Sequence, residues 1–179
     1  MSEAQEQLEA EKENEGLLIG AILNQQEDAP AVLNSVLAVG LEPHHFYREQ
    51  NRILYATMVD LLDQDESITR DSVIDELKKN DALIRAGGRF HILEVMGEAP
   101  GGFDFDRQSL RIIEVSDKRR AADFLSGLQR GVGKLEGEAD PFEFIKTHVQ
   151  EMEGSTRADF IPWHTGAEYM TTLAPEQPA

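Results

Sequence analysis

The chain has 179 residues, 40% hydrophobic and 28% charged, enough to bury a core in one domain with tails. With 17 basic residues against 34 acidic ones it carries a formal charge of −17, which opposes direct binding to nucleic-acid phosphates or an anionic membrane surface. It contains no cysteine, which excludes disulfides and thiolate chemistry and points to a reducing, cytoplasmic setting.

Residues 1–14 read as an acidic, mobile N-terminal tail, with Glu3, Glu6, Glu9, Glu11 and Glu13 against Lys12, although the stretch could also continue as a frayed extension of the first helix. Leu17, Leu18, Ala21 and Ile22 then share one face of a short helix. The longest apolar run, Gly16 to Leu23, is far too short to span a bilayer. Gln25 to Pro30 reads as a loop. Val32, Leu33, Val36 and Leu37 form a second helical face that Gly40 ends, and Pro43 opens a turn holding His44, His45, Phe46 and Tyr47.

The next helix has the clearest pattern, with Leu54, Met58, Leu61 and Leu62 at i, i+4, i+7 and i+8. After a polar link from Asp65 to Ile68, Thr69 is placed to cap a helix carrying Val73, Ile74 and Leu77. Gly87-Gly88 breaks the pattern, and Phe90 to Met96 supplies one more short helix before the breaker Ala99-Pro100-Gly101-Gly102.

Asp104 can cap a long helix reaching to roughly Arg130, about 40 Å in length. Gly131, Gly133 and Gly137 supply a turn. Asp140-Pro141-Phe142-Glu143 then has the layout of a helix start: an acidic cap, proline at the first position and Glu at the third. Phe142, Ile145, Val149 and Met152 make a narrow seam suited to helix pairing. Together these spacings predict an all-α protein, an orthogonal helical bundle over 15–99 followed by a protruding helical hairpin over 103–153, with a linker over 154–179. The expected interaction seam of the hairpin is Ile112, Ile113, Phe124, Leu125, Leu128, Phe142, Ile145, Val149 and Met152. A two-helix arm cannot enclose such a stripe by itself, so the remainder is expected to pack on another chain.

Catalytic, cofactor and metal sites are not signalled. Gly133-Lys134 is followed by Leu135 where a phosphate loop needs Ser or Thr, and Leu128 stands where its leading glycine belongs. His44 and His45 diverge, and His91, His148 and His164 are scattered, so no metal-ligand spacing exists. Lys118-Arg119-Arg120, the sole basic cluster, reads first as a solvent face paired to acids such as Asp117 and Asp123, and alternatively as a docking spot for an acidic partner. Trp163 has two even readings: an anchor on a neighbouring domain, or a side chain folded back on the hairpin.

Over about Glu13 to Glu153 the order of elements resembles the N-terminal domain of DnaB-type replicative DNA helicases. The match is carried by Glu15-Gly16-Leu17-Leu18-Ile19-Gly20-Ala21-Ile22-Leu23, by Pro43-His44-His45-Phe46-Tyr47 followed by Asn51-Arg52-Ile53-Leu54, by Gly87-Gly88, and by Arg111-Ile112-Ile113. Ser109 and Leu110 depart from the Tyr-Ala common in that family, and the glycines at 127, 131 and 133 make the hairpin tip less regular.

The resemblance implies a bundle with a hairpin that pairs in dimers, three dimers forming a collar on a hexameric ring. It implies docking of a primase or a helicase loader, with DNA engaged only through the parent helicase. It places ATP and magnesium in a motor domain for which residues 154–179 look like the lead-in; the chain itself is expected to be non-catalytic and to need no cofactor. The competing expectation is a stand-alone acidic adaptor or inhibitor that binds a replicative helicase.

Overall fold

The computed structural model describes residues 3–99, 102–135 and 140–155, with side chains described between Glu13 and Gln150. Among these residues every regular element is helical: α1 (Glu3–Leu23), α2 (Ala29–Ala38), α3 (Glu49–Asp63), α4 (Arg70–Lys79), α5 (Gly88–Glu98), α6 (Phe105–Val132) and α7 (Pro141–Ser155). Among the described residues no helix is long and apolar enough to cross a membrane. The all-α class expected from the spacing is therefore what the chain adopts.

α1 begins at Glu3, within the stretch that reads as a tail or as an extension of the first helix. Most of the stretch assigned to a tail is helical from Glu3, which its composition explains: Glu, Ala, Gln, Leu and Lys are strong helix formers, with no glycine or proline before Gly16. α2 likewise begins at Ala29, after a 3-10 turn over Gln26–Asp28, with Pro30 in its first turn where a missing N–H costs nothing. It ends at Ala38, and just beyond it Gly40, with a φ of +98°, lets Leu41 N–H reach back to the Val36 carbonyl. Thr69 caps α4 as expected: its hydroxyl accepts from Ser72 N–H, and the Ser72 hydroxyl accepts from Thr69 N–H. Asp104 caps α6 through Arg107 N–H at 3.1 Å, and Asp140 caps α7 through Phe142 N–H at 2.9 Å.

The chain divides into two compact units, one running to Lys118 and the other from Arg119. The first is organised around α1, whose Leu18, Ile19 and Ile22 meet Leu33 and Val36 of α2, Leu54, Met58 and Leu61 of α3, and Ile92 and Val95 of α5 in one buried cluster. Ile68, from the segment read as a polar link, is fully buried in that cluster together with Val73, Ile74 and Leu77 of α4. Phe46 stacks at 4.8 Å on Tyr55, whose hydroxyl donates to the Leu41 carbonyl at 2.9 Å. Burial, helped by the charge of Glu42, holds the Tyr55 phenol well above its usual range, so it stays neutral and donating.

The tightest contact in this unit is between α1 and α5. A Cβ at Gly20 would collide with the carbonyl oxygen of Val95, and one at Gly16 would sit 3.2 Å from Val95 Cγ1. The two glycines, one turn apart, let α5 rest almost on the backbone of α1. The sequence reading ended the bundle at 99 and began the hairpin at 103. The first unit instead takes in the first half of α6, because Ile112 is buried in its core and Phe105 and Ile113 pack against it.

The second unit holds the rest of α6 and α7. Its described inner contact is Phe144 on Gly131, the ring edge occupying the space that a Cβ at 131 would take. Phe144 also stacks at 4.0 Å on His148, one turn further along α7, and His148 Nδ1 lies 2.9 Å from the Phe144 carbonyl.

Candidate interaction surfaces

The seam residues predicted from spacing fall into three groups. Ile112 and Ile113 belong to the core of the first unit and are taken up there. Phe124, Leu128, Ile145 and Val149 are half-buried. Leu125 and Phe142 are each 63% exposed, large apolar side chains facing solvent on α6 and α7. Met152 lies in α7 with its side chain outside the described set, and Trp163 lies outside the described residues altogether.

The residue the spacing missed is Phe144. The pattern through Phe142 selected one apolar line along α7, whereas the side chain packed on α6 is two positions on. The available signal was the pairing of Phe144 with His148 at i+4 and a glycine in α6 to receive the ring. α7 thus carries apolar groups on more than one side: Phe144 faces Gly131, and Phe142 faces water.

The basic cluster divides in the same way. Lys118 is held by Glu114 at 2.6 Å, one turn back on α6, and that hydrogen bond keeps the Glu114 carboxyl below its usual range. For Lys118 the partner shown is Glu114. Arg119 and Arg120, in the second unit, are half-buried. Among the described residues no group of histidines and carboxylates could hold a metal ion.

The first unit has exposed apolar side chains of its own. Ile84, 90% exposed, precedes α5, and Phe90, 76% exposed, and Leu93 lie on the side of α5 away from its buried His91, Ile92 and Val95. A groove of about 410 Å³ is lined by residues that include Leu23, Met96, Asn24, Thr69, Arg70 and Asp71.

A polar chain, invisible to spacing because its members are far apart in sequence, runs through the same unit. Glu15 of α1 is buried. One carboxylate oxygen accepts from Tyr47 N–H at 2.6 Å, and the other from Arg48 N–H and Asn51 Nδ2, each at 3.2 Å. The carboxylate therefore satisfies backbone donors at the start of α3, where a negative charge also suits the helix dipole. Asn51 Oδ1 lies 2.9 Å from His91 Nε2, and His91 Nδ1 lies 3.2 Å from Glu94 Oε2. Four side chains on three helices form one line.

No curated protein sequence matches the chain. Among solved structures it is similar to the N-terminal domain of DnaB helicase from Mycobacterium tuberculosis, with a TM-score of 0.66 and 21% identity over 79% of this chain and 95% of that one. It is also similar to a DnaB-like replicative helicase described with its interactions with primase, with a TM-score of 0.57 and 17% identity over 93% of this chain. It spans only 36% of that helicase's length. At these identities the likeness establishes the fold. The family model of the DnaB-like helicase N terminal domain matches residues 7–114, more than half of the chain, and this protein belongs to that family.

Proposed function

We propose that this chain is the non-catalytic collar part of a DnaB-like, ATP-dependent replicative DNA helicase, located in the cytoplasm. In this role it associates with copies of itself as a dimer or a trimer of dimers, and it docks a primase or helicase loader. ATP and magnesium act in the motor part of the parent protein. The observation that carries the reading is the exposure of Leu125 and Phe142 in a unit whose other described apolar side chains are only half-buried, in a member of this family. Two large apolar groups left in water on a helix pair favour a partner surface that removes them from it. Burying each is worth roughly 1.5–3 kcal/mol.

The primase element of the proposal is supported by the likeness to a helicase described with its interactions with primase. The charge of −17 supports a domain that organises proteins instead of gripping DNA. The basic cluster at 118–120 and Trp163 remain the proposed docking contacts.

The test is Leu125→Glu with Phe142→Glu, followed by light scattering across a concentration series. The wild-type chain is expected to associate and the double variant to remain a monomer, with an unchanged helical circular-dichroism spectrum. A folded double variant that associates as the wild type does would refute the seam as an interface.

A further inference from the structure

α5 has two faces. His91, Ile92 and Val95 are buried in the first unit, while Phe90, Leu93 and Gly97 lie on the opposite side, Phe90 76% exposed and Leu93 51%. These three stand at i, i+3 and i+7, the line along which one helix pairs with another. Gly97 adds room on that line, since no atom lies within 4 Å of the place a Cβ would take. Glycine weakens a helix relative to alanine, and nothing among the described residues fills the space it leaves.

Two charges of opposite sign border the line. Arg89 directly precedes Phe90 and Glu94 directly follows Leu93, so they occupy its two edges, five positions apart, and both are exposed. Among the described residues Arg89 makes no hydrogen bond, and its charge reaches Asp71 of α4 only at a distance. Glu94 touches His91 through one oxygen, Oε2, at 3.2 Å.

We propose that this face pairs with the same face of a second copy, the two α5 helices running parallel about a twofold axis. In a parallel pair, the edge before the first apolar position of one helix lies beside the edge after the second apolar position of the other, five positions on. Arg89 of each copy therefore meets the partner's Glu94, twice by symmetry, while Phe90 and Leu93 of both copies leave water. An antiparallel pair would set arginine edge against arginine edge and glutamate edge against glutamate edge. The charges select the parallel pair. They also offset, at the contact itself, the repulsion between two chains that each carry −17.

Two helical turns bury less than the roughly 1,200 Å² of a lasting interface, so the contact is weak and acts where copies are held at high local concentration. α5 belongs to the first unit, and its pairing does not rest on the seam of the second.

The experiment traps the contact covalently. The chain has no cysteine, so a single introduced thiol reports only on itself. Gly97→Cys is made in the full chain together with Leu125→Glu and Phe142→Glu, which disable the seam, and is treated with a mild oxidant. Disulfide-linked dimers are expected to form faster than in a control with Asn34→Cys on the exposed side of α2 instead. Adding either Arg89→Glu or Glu94→Arg turns both cross-pairs into like charges and is expected to slow cross-linking on the order of fivefold. A 1:1 mixture of those two charge variants, one carrying a mass tag, is expected to recover the rate and to yield mainly the mixed dimer. All four chains should keep the same helical circular-dichroism spectrum. Cross-linking no faster than the control, rates indifferent to the charge changes, or a mixture that gives only the random share of mixed dimer would overturn the pairing, and would leave the seam reading untouched.

Discussion

The two units of this chain solve the problem of apolar surface in opposite ways. In the first, Leu18, Ile19, Leu33, Leu54, Tyr55 and Met58 are completely enclosed, and Tyr55, Asn51 and Glu15 make hydrogen bonds among them. In the second, no described large apolar side chain is fully buried, and two, Leu125 and Phe142, face water. A cooperative core needs several layers of side chains to close over one another. Two helices supply one contact line, here Phe144 against Gly131. The difference teaches that stability resides in the first unit, and that the second keeps surface in reserve.

The sharpest way to break this contrast is to make one substitution in both units. Gly20→Ala sets a methyl against the Val95 carbonyl, a backbone atom that cannot step aside, and is expected to cost about 3 kcal/mol or more in urea denaturation. Gly131→Ala meets only the far end of the Phe144 ring, which can rotate away, while alanine gains up to about 1 kcal/mol of helix propensity over glycine. Its net effect is expected to stay within about 1 kcal/mol. Equal losses at the two sites would erase the distinction between them.

A smaller blow to the first unit is Glu15→Ala. It leaves Tyr47 N–H, Arg48 N–H and Asn51 without their acceptor, and should cost about 2–3 kcal/mol by the same measurement. The mildest probe is Tyr55→Phe, expected to cost about 1 kcal/mol through loss of the bond to the Leu41 carbonyl. It also carries a pH signature. The folded phenol is held above the ordinary tyrosine value of ~10, so the stability it contributes is complete below that value and falls as pH rises beyond it. Tyr55→Phe should flatten that alkaline decline, as read from thermal unfolding between pH 9 and 11.

What could be read from the amino-acid order follows from how local each signal is. The caps Thr69, Asp104 and Asp140 act on N–H groups two or three residues away, so spacing alone located them. The α3 stripe of Leu54, Met58 and Leu61 is likewise a property of one helix, and all three are buried. The hairpin seam was only partly legible. Ile112 and Ile113 continue the α6 stripe without a break, and nothing in that pattern marks where core burial gives way to an open face. On α7, Phe142 and Phe144 offer two rival lines, and the choice depends on Gly131 in another helix. The Glu15, Asn51 and His91 chain joins residues 36 and 40 positions apart, beyond the reach of any periodicity.

The close seat of α5 on α1 bears on how the molecule reaches its native state. Asn24 Nδ2 also donates to the Met96 carbonyl, 72 positions away, beside the Gly20 and Val95 contact. Closing so long a stretch forfeits chain entropy before any of these contacts can reward it. Docking of α5 is accordingly expected to come late in folding. Until it happens, the face of α1 around Gly16 and Gly20 is expected to stay uncovered and open to capture by the wrong helix.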